Sequence, residues 1–364
     1  LVNPLLRFKG RHIVLAVAIV LVAAYYALRE VPGVAVFATQ NIAHPWHRVS
    51  GTVFGIVPFS VAEWLIVFTI LGALAYLTYT VVKLIQKPRR LQRVYALLVA
   101  FLAGALTIYA MICWLWGITY YSYTYTELSG IETQAVSVQE LKEVTIYFAE
   151  VATAASQKVE RDQNGLYVCD IQQTVSDAPA LYANLPEQFN FLQGPEVPPK
   201  PMFFSYIMSH LNYTGVFFPL TGEANFNEHS PDCFIPATVT HEISHQRGVT
   251  REQDANFTSV LVCMESDDPN FIYSGALLAY THLANALYLA SYEAWAEAQS
   301  YIGDYARKDL IANHMYWQDF KTTASEISEA AYDGYLQNQG QELGTRSYGA
   351  CVDLLVAYYG EAAK

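Results

Sequence analysis

Charge is scarce in this chain: 15% of its 364 residues are charged and 53% are hydrophobic, too apolar a balance for an ordinary cytosolic globule. Acid is scarcer still at the front. Residues 1–117 hold 10 Lys or Arg but only Glu30 and Glu63, whereas residues 118–364 hold 11 basic and 31 acidic side chains. No basic stripe interleaved with aromatics occurs, and an acidic back half repels polyphosphate, so nucleic acid is excluded as an expected partner. No period of 20 to 50 residues recurs, which excludes a solenoid. Cysteine is sparse, with five in all. Cys113 falls inside an apolar run, and the other four permit two disulfides in an oxidising compartment. The expected pairs are Cys233 with Cys263 and Cys169 with Cys351; four buried free thiols are the alternative.

What the front half does contain is three apolar runs, over residues 13–28, 61–85 and 94–120, each near or beyond the ~20 residues of a membrane-spanning helix. Arg7, Lys9 and Arg11 precede the first run, and Lys83, Lys87, Arg89, Arg90 and Arg93 cluster between the second and third. Those ends are expected in the cytoplasm, and the cation-poor loop over 29–60 outside. The first run lacks a small-residue cleavage site and reads as an uncleaved signal anchor. Residues 1–120 are therefore expected to form a multi-pass module in the cell membrane, N-terminus cytoplasmic, with membrane lipid as a partner. Residues 121–364 are expected to form an extracytoplasmic domain.

The back half is patterned mainly for helix. Residues 132–161 read as an amphipathic helix, 169–201 as a proline-punctuated loop region, and 203–226 as two or three short strands. Further helices are expected over 237–247, 252–264, 271–301, 315–335 and 348–359. The expected fold class is mainly α: three transmembrane helices, then a mostly helical domain with a small β-sheet.

One segment carries specific chemistry: His241-Glu242-Ile243-Ser244-His245 on a predicted helix. Imidazoles at i and i+4 share one face, so both can reach a single Zn²⁺, and the carboxylate between them can act on water beside it. A third protein ligand is needed, and Glu252 is the best candidate, ahead of Asp254 and Glu265. On a straight helix Glu252 would lie about 10 Å beyond His245. Gly248 can take the left-handed conformation that ends a helix and let the chain double back. Asn256, one turn after Glu252, is placed to hydrogen-bond a ligand. If the three hold zinc, Glu242 is the catalytic base. Tyr273, Tyr348, His282 and Arg247 are candidates for stabilising an oxyanion. The run over 217–227 is expected to form an edge strand that pairs with an extended peptide, with Glu223, Asn225 and Asn227 lining its cleft. Asn212 and Asn256 begin acceptor patterns for glycosylation.

The runs Pro219-Leu220-Thr221-Gly222-Glu223-Ala224-Asn225-Phe226-Asn227, His241 to Gly248, and Arg251-Glu252-Gln253-Asp254-Ala255-Asn256-Phe257 resemble a group of bacterial multi-pass membrane proteins catalogued as a domain of unknown function with a zincin signature. Pro58-Phe59-Ser60, Tyr273-Ser274-Gly275, Ser347-Tyr348-Gly349 and Val352-Asp353-Leu354-Leu355 resemble it too, so the likeness covers nearly the whole chain. The site is also similar to the gluzincin pattern of HExxH followed by ExxA[DN], as in membrane CAAX-type and heat-shock metalloproteases, although the second motif follows here almost at once. That resemblance implies Glu252 as zinc ligand and Asn256 in the place of an Asp. Together these readings imply a membrane-anchored, zinc-dependent metallopeptidase with a zincin-like domain, acting on a peptide or protein substrate outside the cytoplasmic membrane. The alternative is a non-enzymatic, zinc-stabilised receptor or assembly factor. Oligomeric state is not legible.

Overall fold

The computed structural model of the chain describes residues 7–86, 90–341 and 348–364. It is mainly helical with one small sheet. It divides into two compact units, one of Leu1–Ser50, Val61–Ser122 and Pro219–Thr221, the other of Gly51–Ser60, Tyr123–Phe218 and Gly222–Lys364.

In the first unit, α1 (Lys9–Leu28) lies along α5 (Arg90–Leu115), and α4 (Val61–Gln86) also packs on α5. The helices Lys9–Leu28, Val61–Gln86 and Arg90–Tyr121 are long and apolar enough to cross a membrane. Val20, Phe68 and Leu98 are each more than 60% exposed, an arrangement that water penalises and lipid does not. The stretch expected as a loop over 29–60 is helical: α2 (Pro32–Ala38), a π-helical turn (Thr39–Ala43) and α3 (His44–Phe54). Pro32 opens α2, where a missing N–H costs nothing.

In the second unit, short α6 (Tyr125–Ser129) precedes α7 (Val138–Ser156). Ser137 accepts from the Glu140 N–H while Glu140 reaches back to Ser137, a capping box that starts α7 later than its apolar pattern suggests. The proline-punctuated region contains a helix, α8 (Ile171–Leu181), opened by the Asp170 side chain; Pro179 falls in its last turn. After α9 (Ser205–His210) come α10 (Ile235–Gln246), α11 (Glu252–Met264), α12 (Pro269–Ala290), α13 (Tyr292–Ala298), α14 (Asp304–Asp319), α15 (Thr323–Asn338) and α16 (Tyr348–Tyr359). Ser291 caps α13 and Thr322 caps α15, which divides the continuous helices expected over 271–301 and 315–335. The core is built by α12, packed along α7 and against α10, α11 and α16.

The sheet has the order β1 (Lys200–Pro201), β3 (Glu223–Phe226), β2 (Gly215–Phe218). Central β3 runs parallel to β1 and antiparallel to β2, with Gly215 opposite Phe226 and Phe218 opposite Glu223. Both β2 and β3 lie against α10.

Tyr273-Ser274-Gly275 on α12 proves to be a packing device. The Ser274 hydroxyl accepts from the Ala237 N–H at 3.0 Å, satisfying a first-turn donor of α10 from a neighbouring helix. Gly275 lets α11 approach closely, since a Cβ there would stand 2.3 Å from the Cys263 Cβ. The Tyr273 hydroxyl donates to Asp309 inside the core.

The expected disulfides do not form. All five cysteines are free and buried, and each of the four in the second unit faces its own surroundings. Cys169 meets the Thr174 hydroxyl at 3.3 Å, Cys263 meets Thr240 at 3.4 Å, and Cys233 points at the Asp309 carbonyl at 3.9 Å. Cys351 sits in α16 with its thiol pushed up by burial. Apolar enclosure, rather than proximity to another sulfur, explains these positions.

Candidate metal centre

The helix carrying His241, Glu242 and His245 is buried over nearly its whole length, and polar contacts hold it to its neighbours. Tyr182 donates to the Thr240 carbonyl at 2.6 Å and meets the Ser244 hydroxyl at 2.9 Å. Ser259 on α11 donates to the Ala237 carbonyl at 2.7 Å. These bonds set the register of α11 against α10. Between the two helices Gly248 adopts a left-handed φ of 101°, the conformation only glycine takes without strain. The chain therefore reverses within a few residues and begins α11 at Glu252.

That reversal brings donor atoms of His241, His245 and Glu252 within 4.8 Å of one another. The two Nε2 atoms are 3.1 Å apart; Glu252 Oε2 is 3.2 Å from His241 Nε2 and Oε1 is 3.7 Å from His245 Nε2. Ligands about 2.0–2.1 Å from a tetrahedral zinc stand about 3.3 Å apart, so the spacing and the chemistry of this donor set fit that ion. His245 Nδ1 lies 2.7 Å from the Val249 carbonyl, which takes the ring proton there and makes Nε2 the nitrogen that would exchange its proton for a metal. Asn256 lies close enough to the His241 ring to favour its protonated form.

Charge in the cluster is strongly coupled. Burial pulls His241 down, and pulls His245 down too, but Glu252 outweighs it and holds His245 up at about 9. Burial pushes Glu252 up, and the two imidazoles overcome this and hold it well below the usual carboxylate range. Glu242 is pushed up to about 8, chiefly by burial. Its Oε2 is enclosed without a hydrogen-bond partner. Gly215 of β2 crosses directly over it, since a Cβ there would lie 2.3 Å from Glu242 Oε1.

Other expected site residues lie elsewhere. Among the described residues Asp254 is outside the cluster; it is buried, and its charge is felt by Cys351 of α16. Glu265 follows the far end of α11, about 20 Å along the axis. Glu223 and Asn225 line no cleft, because β3 is the central strand and wholly buried. Glu223 pairs with Lys200 at 2.6 Å, and Asn225 donates to the Val216 and Glu223 carbonyls. Asn227 donates to Ser209 and to the Tyr213 carbonyl, which pins a loop. The edge strands are β1 and β2, not the run around 223–227. Tyr273 is committed to Asp309, and Arg247 donates to the Leu192 and Pro179 carbonyls while stacking 4.2 Å over Tyr182; neither can serve an oxyanion. The Tyr348 side chain lies outside the described residues. His282, buried on α12, is depressed to about 4 by burial and then by nearby His241, so it stands beside the cluster as a neutral ring. Of the two glycosylation asparagines, Asn212 donates its amide to Glu329 at 2.6 Å and Asn256 lies beside His241.

One residue of the site has no sequence signal. Tyr332 on α15 donates its hydroxyl to Glu252 Oε1, and its ring packs edge-on against Tyr213. It is one of 27 tyrosines, at no spacing related to the motif.

Neither a curated protein nor a solved structure matches this chain. One family model does match, over residues 39–356, a span that holds α10, α11 and Tyr332 together with the second and third apolar helices. By that coverage the chain belongs to the family described as Protein of unknown function (DUF3810).

Proposed function

We propose that this protein is a membrane-anchored zinc metallopeptidase that hydrolyses peptide bonds at the outer face of the cytoplasmic membrane. One observation carries the reading: two imidazoles and a carboxylate converge at the spacing of zinc ligands beside the buried Glu242, whose Oε2 has no hydrogen-bond partner. His241, His245 and Glu252 would hold the ion, with Asn256 and Tyr332 orienting His241 and Glu252. Zinc bound there supplies a Lewis acid that acidifies water and polarises a carbonyl. Glu242 takes the proton from the attacking water and passes it to the leaving amine. Edge strand β2, beside Glu242, offers backbone groups along which an extended substrate can align. The outward orientation rests on the Lys and Arg at the N-terminus and between the second and third spans.

Metal content tests the first step. Protein purified without chelators is expected to carry about one zinc per chain, and His245→Ala and Glu252→Ala are each expected to lose it while the helical content stays unchanged. Wild-type protein without zinc sinks the reading.

The β2 crossing gives a second test. Gly215→Ala is expected to keep zinc, because none of its ligands moves, yet to lower peptide hydrolysis about 100-fold by displacing the Glu242 carboxylate. Full activity in this variant would show that the position of Glu242 is immaterial.

A further inference from the structure

The membrane unit holds a second site, unrelated to the peptidase reading. A cavity of about 160 Å³ opens where the ends of the three apolar helices meet. The start of α1 and the two residues before it contribute Arg7, Phe8 and Arg11, the end of α4 contributes Tyr76, Tyr79, Thr80 and Lys83, and the start of α5 contributes Gln92 and Arg93. Four cations thus line one small pocket, with room for a phosphate group and a few waters.

Their charge is not neutralised by the membrane unit. Residues 1–117 contain only two carboxylates, Glu30 and Glu63. Glu63 lies in the first turn of α4, 20 residues before Lys83, and Glu30 lies 19 residues after Arg11, beyond the end of α1. Both are about 30 Å away along their helices. Arg11 is fixed by bonds to the Tyr76 hydroxyl at 2.8 Å and the Ala96 carbonyl at 2.6 Å. The Arg93 Nε is enclosed and without a partner, and Lys83 contacts the Tyr79 ring face. Four like charges this close repel one another unless an anion joins them.

The surroundings say which anion. Outside the pocket the same helix ends carry exposed Ile13, Val14, Val81, Val82, Ile85, Leu91 and Val94, so the cavity stands at the boundary between apolar helix surface and polar ends. A soluble phosphate would use the cations and ignore that surface. A phospholipid uses both, with its phosphate in the pocket and its acyl chains along the helices. We propose that this pocket holds the headgroup phosphate of one anionic phospholipid, and that Lys83 and Arg93 discriminate it from zwitterionic lipid.

The test is native mass spectrometry of the full chain, equilibrated in detergent with equimolar phosphatidylglycerol and phosphatidylethanolamine. Wild type is expected to retain one phosphatidylglycerol per chain, at least tenfold in preference to phosphatidylethanolamine. Lys83→Gln with Arg93→Gln is expected to lower that retention about tenfold, whereas the charge-preserving Lys83→Arg with Arg93→Lys keeps most of it. Equal retention of the two lipids by wild type overturns the proposal whether or not the variants fold. So does complete displacement of phosphatidylglycerol by millimolar inorganic phosphate, which would make this a site for the free ion.

Discussion

Replacing Glu242 with Gln is expected to lower peptide hydrolysis by about 10²- to 10⁴-fold, the usual contribution of a positioned proton acceptor, while zinc content stays at the wild-type level. The glutamine side chain has nearly the same shape, so it fits beneath Gly215, where the fit is already close. An amide cannot take a proton from water at neutral pH, so the proton transfer loses its acceptor and the ligand set is unaffected. The stability change should carry the opposite sign from that of most buried substitutions. Glu242 is enclosed, its Oε2 has no hydrogen-bond partner, and burial pushes its pKa up to about 8; because ionising it there is unfavourable, the neutral amide should unfold at the same temperature as wild type or slightly above it. Hydrolysis of a peptide library, followed by mass spectrometry, reads the first effect, and thermal unfolding reads the second. Undiminished hydrolysis at full zinc occupancy would sink the mechanism. Zinc binding without hydrolysis in wild type would favour a non-enzymatic role for the metal.

Asp309→Ala is expected to destabilise the fold by about 3–5 kcal/mol. Asp309 lies in the core of the second unit, where Arg161 donates to it at 3.0 Å, the Tyr167 N–H at 3.0 Å, and the Tyr273 hydroxyl from α12. Arg161 also lies 4.4 Å over the Tyr305 ring, and only 10% of its side chain is exposed. Removing the carboxylate leaves a guanidinium, an amide and a hydroxyl buried with their shared acceptor gone, and each loses hydration it cannot recover. The melting temperature should fall by roughly 6–20 °C. Asp309→Asn should be intermediate, since it retains the shape and two acceptor lone pairs but not the charge. A shift in Asp309→Ala below a few degrees would mean that water reaches Arg161. This network lies apart from the three candidate ligands, so zinc bound per folded chain should not change.

How much of this was legible beforehand depended on the distance over which each feature is encoded. The membrane helices are local, because their charge-free length is itself the signal. The convergence of Glu252 on His241 and His245 was legible because one glycine, Gly248, does the folding back. Interhelical facts were not. Tyr332 reaches Glu252 from 80 residues away, and no spacing rule connects them. Glu223 and Asn225 read as cleft residues because polar side chains in a short strand suggest an exposed edge. Strand order, which sequence does not state, makes β3 central and turns both inward. The four cysteines outside the spans suggested pairing by number alone, whereas burial positions them as small apolar groups. The α8 helix was hidden by Pro179, which lies in its last turn, where a missing N–H breaks only a terminal bond of the helix.

All three candidate ligands come from residues 241 to 252, joined by a single reversal at Gly248. Closing so short a loop costs little chain entropy. Contacts of this kind form early in folding, before distant segments are needed. The ligands can therefore gather as the nascent chain lengthens, while Tyr332 and the α15 that carries it are still to be synthesised. Collecting the donors thus needs only residues 241 to 252, whereas clamping Glu252 needs a helix 80 residues further on.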